Sequence, residues 1–135
     1  MKIVKITQKN RTKVDKMFDS SYPILILYRM EGCGHCVRLK PVWEEATKIL
    51  ETNPNIYIAE VEVNDMTVLP DNLQDNKFFP TIKIVQNKAK KADFLADRTK
   101  KENIVKFALD NIDEDKVKDS SSSSSVKKPK KTIKK

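Results

Sequence analysis

With 135 residues, 39% of them hydrophobic and 34% charged, the chain has the size of one ordinary domain, and a core of that size forms without disulfide staples. Two cysteines exclude a disulfide-framework mini-protein, and the longest apolar run, Ile24 to Tyr28, is far too short to cross a bilayer. Most of the net charge of +8 lies in "KKPKKTIKK" (127–135), whose six lysines leave about +2 on everything before them, so the basic balance belongs to a tail.

The first 25 residues scatter lysines among polar positions and hold no apolar stretch of the kind a secretory leader needs. The expectation is a cytoplasmic protein in a reducing compartment, where paired cysteines are catalytic or metal-binding more often than permanently oxidised. The composition, rich in lysine, isoleucine and asparagine, resembles that of AT-rich genomes and makes a virion the alternative location; the basic tail adds the nucleus.

"KIVKIT" (2–7) alternates apolar and polar residues and predicts a short half-buried strand. In "KNRTKVDKMF", Val14, Met17 and Phe18 lie a helical turn apart and predict a short helix. "YPILILY" is a continuous apolar run opened by Pro23, as in a strand covered on both faces. From Cys33 to about Thr52 an apolar stripe of Val37, Leu39, Val42, Trp43, Ala46, Ile49 and Leu50 predicts a long helix, with Pro41 inside it as a source of a kink. "NPNIYIAEVEV" (53–63) reads as a third strand, and "DMTVLPDNLQDNKF" as a short helix or irregular crossover around Leu69 and Leu73. "PTIKIV" is a strand burying Ile82, Ile84 and Val85, with "KADFLA" (91–96) its antiparallel partner across a turn at Asn87 and Lys88. "TKKENIVKFALDNI" closes the domain as a helix, with Thr99 as N-cap, Glu102 three residues on, and Ile104, Val105, Phe107, Ala108 and Ile112 as its core stripe.

This order predicts an α/β fold, a central mixed sheet flanked by helices, over residues 1–113. Residues 114–135 change character. A six-serine run (Ser120 to Ser125) and the lysine cluster cannot offset the entropy of ordering, so a disordered Ser/Lys-rich tail is expected there.

"MEGCGHCVRLKP" (30–41) holds both cysteines, the sole histidine and both glycines. A thiol attacks as the thiolate, which needs surroundings that favour negative charge. Cys33 stands where the long helix begins, facing its unpaired amides and the positive end of its dipole, and Cys36 lies one turn deeper. Cys33 would form a mixed disulfide with a substrate sulfur and Cys36 would resolve it. The imidazole of His35, when protonated, would favour the thiolate further. Tetrahedral zinc takes four protein ligands, more than this loop supplies, so a metal site would have to be shared between subunits. The residues alone leave redox site, shared metal site and tight helix entry open.

"CGHCVRLKPVW" resembles the active site of the protein disulfide isomerase branch of the thioredoxin superfamily. "FFPTIKIV" is similar to the segment that packs against the dithiol in that family, and "FLADRT" to its late tyrosine, glycine and arginine-threonine pattern. The resemblance covers roughly residues 3 to 112 and implies a thioredoxin fold and thiol-disulfide exchange on cysteine-containing protein substrates, with no cofactor and no metal. It implies that Cys33 is the exposed nucleophile, Cys36 the resolving thiol, and Pro80 a cis-proline presenting Phe79 backbone groups to an extended substrate. Gly32 and Gly34 fall on the substrate-binding rim, and Arg98 matches the arginine that lowers the pKa of the second cysteine. Several positions depart from the family's pattern. Gly32 stands where tryptophan is usual, Phe78 and Ala96 where glycine is common, and Ile26 where the family buries a carboxylate, leaving Glu31, Glu62 or Arg98 to assist Cys36.

The competing expectation is a noncatalytic thioredoxin-fold interaction module, tethered to nucleic acid or a particle by its basic tail. "KKPKK" would release counterions on meeting phosphates, giving nonspecific, salt-sensitive nucleic-acid contact. It lacks the aromatics that would stack on bases. Membrane association and a defined oligomeric state have no signal in the sequence.

Overall fold

The computed structural model describes residues 3–112; the expected tail at 114–135 lies outside the described residues. The elements run β1 (Ile3–Ile6), α1 (Arg11–Asp19), β2 (Ile24–Arg29), α2 (Gly34–Leu50), β3 (Tyr57–Glu62), β4 (Thr81–Gln86), β5 (Ala89–Asp93) and α3 (Lys101–Asp110). Short 3-10 turns precede α1 at Gln8–Asn10 and fill the crossover after β3 at Val63–Val68 and Asp71–Leu73, where the sequence predicts a short helix or irregular segment.

One five-stranded sheet has the order β1-β3-β2-β4-β5. β1, β3 and β2 are parallel, β4 runs antiparallel to β2, and β5 antiparallel to β4. β2 lies at the centre, which is why its residues are apolar in succession: Ile24, Ile26 and Tyr28 join one cluster with Val14, Met17 and Phe18 of α1. Leu25 and Leu27 join the other, with Leu39, Trp43, Ala46 and Leu50 of α2 and Ile104 and Ala108 of α3. A sheet with helices on both faces has no solvent side for its central strand.

Local chemistry sets the element ends. Thr7 and Asn10 form a reciprocal capping box ahead of α1. The β4–β5 hairpin turns at Asn87 and Lys88, both with positive φ (58° and 64°), as a two-residue turn matching the twist of its strands requires. β5 ends at Asp93, short of the predicted Ala96. Phe94 still donates its amide to the Ile82 carbonyl at 3.0 Å, past an irregularity in register at Ile84/Val85.

Three packing expectations change. Val37 (67% exposed) and Ile49 (52%) lie off the buried face of α2. That face runs Cys36, Leu39, Trp43, Ala46, Leu50 at helical spacing, and Thr47 is buried in their stead. α2 is continuous across Pro41 as a single element. At α3 the N-cap is Lys100, with no side-chain cap. The Thr99 hydroxyl and amide both donate to Asp97 Oδ1 (2.6 and 2.9 Å), a local turn that competes with capping. In the α3 stripe Ile104 and Ala108 are fully buried; Val105, Phe107 and Ile112 pack at the edge.

Candidate active site

The dithiol sits where β2 hands over to α2. Gly32, at φ +79°, makes the turn, and a Cβ there would meet nothing within 4 Å, so the conformation rather than crowding selects glycine. Cys33 is the N-cap residue of α2, and its Sγ accepts a hydrogen bond from the Cys36 amide at 3.1 Å. Its carbonyl accepts from the Val37 amide at 3.0 Å. This is the helix-start placement that the sequence predicts. Gly34 follows on the exposed rim, 3.6 Å from an Arg38 nitrogen at its would-be Cβ.

The two thiols are held in different states. The Cys33 pKa lies below its ordinary value because the Cys36 side chain and the Cys36 and His35 backbones hydrogen-bond to it and the Arg98 charge favours its thiolate; partial burial opposes them. Cys36 is pushed up, by burial first and by the hydrogen bond and charge of Cys33, against the Met30 backbone and the Arg29 charge. Cys33 is thus the readier thiolate.

The expectation that Cys33 is the exposed thiol needs correcting. Cys33 is only 9% exposed and Cys36 is partly buried, because the segment before β4 closes over Cys33. The Phe79–Pro80 peptide is cis, as the sequence expectation has it. Cys33 Sγ lies 3.6 Å from the Phe79 carbonyl, to which it donates. Phe79 is half-buried against the α1-side core, while Phe78 stands out at 80% exposure, bulky where glycine is common.

His35 also differs from expectation. Its imidazole is exposed and Nδ1 accepts from Arg38 Nη2 at 2.8 Å, so the ring is engaged with Arg38 rather than with a sulfur. The His35 contribution to Cys33 comes through its backbone. Arg98 is exposed and its charge bears on Cys33, whereas the cation acting on Cys36 is Arg29.

Ile26 belongs to the α1-side cluster, against which Phe79 also packs, and as an apolar residue it offers no proton acceptor there. The carboxylate that does face α2 is Glu60, on β3 in register with Leu27, whose Oε2 accepts from Trp43 Nε1 at 2.7 Å. Glu60 was not singled out from the sequence. Its signal was the β3 alternation that puts Ile58, Glu60 and Glu62 on one face. Glu62 is spoken for: its carboxylate accepts from the amides of Glu31 (3.2 Å) and Asn64 (2.9 Å), and these hold its pKa down. Among the described residues no group of three or more His, Cys, Asp or Glu side chains is placed to share a metal ion.

The Thioredoxin family model matches residues 2–111. The chain belongs to the thioredoxin family. Among relatives of this thioredoxin domain, the Protein disulfide-isomerase of Medicago sativa is 34% identical over 88 residues, covering 62% of this chain and 17% of that protein. Protein disulfide-isomerase 1 of Caenorhabditis elegans is 32% identical over 68 residues, covering 49% of this chain and 13% of the other. The matched segment is therefore a small part of those relatives. Among solved structures, the J-Trx1 fragment of ERdj5 superposes with a TM-score of 0.63 at 24% identity, covering 79% of this chain and 50% of that one. Human ERp44 superposes at 0.65 with 18% identity over 80% of this chain and 29% of the other. The structural likeness establishes the fold; the sequence relatives connect it to the protein disulfide isomerases.

Proposed function

We propose that this domain is a thiol-disulfide oxidoreductase that exchanges disulfides with cysteine-containing protein substrates through Cys33 and Cys36. The observation carrying this reading is the helix-cap geometry of Cys33, whose sulfur receives the Cys36 amide and sits at the positive end of α2. The Cys33 thiolate attacks one sulfur of a substrate disulfide, forming a mixed disulfide and releasing the other substrate sulfur as a thiolate. Cys36 then loses its proton to solvent and attacks Cys33 Sγ. The intramolecular disulfide forms, the substrate leaves as its second thiolate, and two electrons have passed from the dithiol to the substrate. Run backwards, the same steps oxidise a substrate dithiol. Pro80, Phe79, Gly32 and Gly34 frame the cleft over Cys33, and Arg98 supports its thiolate.

A trapping experiment tests this. Cys36→Ser leaves the mixed disulfide without its resolving thiol, so incubation with a disulfide-bonded protein should accumulate a covalent adduct that dithiothreitol releases. Cys33→Ser should form none. Equal adduct yield from both variants would overturn the assignment of Cys33 as nucleophile.

A further inference from the structure

On β2, Leu25 and Leu27 lie in the α2-side core, and strand alternation puts Arg29 on that same face at the strand's C-terminal end. On α2, Cys36 precedes Leu39 and Trp43 at spacings of three and seven, so it occupies the top of the stripe that faces the sheet. The end of one row thus meets the start of the other, and the charge of Arg29 acts on Cys36.

Arg29 is paired with β3 on that face. Its Nε lies 3.8 Å from Glu60 Oε1, and Glu60, with its side chain 11% exposed, is itself held by Trp43 Nε1 at 2.7 Å and Lys5 Nζ at 3.6 Å. Glu62 pairs with Arg29 across the β2–β3 register. The contacts run from Trp43 on α2 to Glu60 on β3 and on to Arg29 on β2, and the Arg29 charge reaches Cys36 through space.

We propose that Arg29, oriented by Glu60, is a positioning residue that stabilises the Cys36 thiolate while the mixed disulfide is resolved. Among the described residues, the charges that bear on Cys36 are those of Cys33 and Arg29. Cys33 lies on its own helix, Arg29 on β2, and Glu60 and Glu62 on β3; Arg98, from the loop before α3, serves Cys33. His35 and Arg38 pair with one another at the surface. Both carboxylates are engaged, Glu60 by Lys5 and Trp43, Glu62 by two backbone amides. Arg29 is the cation placed to favour a negative sulfur at Cys36, alongside the candidates Glu31, Glu62 and Arg98. In the resolving step Cys36 gives its proton to solvent, its thiolate forms the bond to Cys33 Sγ, and the substrate sulfur departs with the electron pair of the broken bond.

The inference rests on the proposed exchange activity for its role in turnover, but its test needs no turnover. In a Cys33→Ser background, the ultraviolet absorbance of the thiolate is titrated for Arg29, Arg29→Met, Arg29→Gln and Arg29→Lys. The neutral variants should raise the Cys36 midpoint by about one pH unit, lowering its thiolate fraction at neutral pH about tenfold. Lysine should restore most of the difference, and high salt should narrow it. Arg29→Gln guards against misfolding, since Glu60 keeps Trp43 and Lys5. Neutral variants that titrate with the parent, or a lysine variant that titrates with methionine, would overturn the proposal. An Arg29-dependent titration in a protein that forms no mixed disulfide would sink the exchange reading and leave this assignment standing.

Discussion

The indole Nε1 of Trp43 donates to Glu60 Oε2 across 2.7 Å, tying α2 to β3 two turns below Cys36. Trp43 is 1% exposed and Glu60 half-buried, so this is a partly buried charge-assisted hydrogen bond at the edge of the packed core. Trp43→Phe keeps most of the volume but leaves one Glu60 oxygen without its donor. It should cost about 1–3 kcal/mol in urea unfolding, and Trp43→Ala about 3–5 kcal/mol, because a cavity is added to the lost bond. Equal midpoints for wild type and Trp43→Phe would show that the bond contributes nothing net.

Tyr28 sets a limit on alkaline stability. Its side chain is fully buried, its hydroxyl donates to the Leu73 carbonyl at 2.8 Å, and burial pushes its pKa from 10.0 up to about 12. A phenol that ionises later in the folded state than in the unfolded chain stabilises the fold fully below pH 10, and that contribution drains away as pH rises through 12. About 2–3 kcal/mol is at stake. Stability measured from pH 9 to 12 should fall more steeply for wild type than for Tyr28→Phe.

The fold was legible in the sequence because its strongest signals are periodicities. The run "ILILY" is apolar at both parities because β2 is central, and the α2 stripe follows from helical spacing. Less was legible where the partner lies far along the chain. The absence of an acid at Ile26 was legible, but only the β2–β3 register brings Glu60 to the α2 side of the sheet beside Arg29. Thr99 fits an N-cap in sequence, but Asp97 two residues earlier takes its hydroxyl. The cis-proline segment beside Cys33 was legible only through the resemblance, because Phe79 lies 46 positions away and no local pattern joins it to the dithiol.

Gly32 answers to backbone rather than to space. At φ +79° with an open Cβ direction, Gly32→Ala should destabilise by about 1 kcal/mol through strain alone, and Gly32→Asn by less, since asparagine tolerates the left-handed region better. A crowded site would instead make the larger asparagine the worse of the two. Denaturant midpoints of the two variants decide between these accounts.

Lys88 is a stabilising target in the opposite sense. Its φ of 64° strains a lysine, while its ion pair with Asp19 at 2.9 Å is solvent-exposed and contributes little. Lys88→Gly should raise stability by up to about 1 kcal/mol. A loss of stability would mean that the Asp19 pair outweighs the turn.

The most direct test of the exchange reading is the dithiothreitol-driven reduction of insulin, followed by turbidity, for wild type, Cys33→Ser and Cys36→Ser. The account predicts acceleration by wild type, its loss in Cys33→Ser, and slowed turnover with trapped adduct in Cys36→Ser. Precipitation of insulin at the uncatalysed rate with wild type, or at the same accelerated rate with Cys33→Ser, would contradict it.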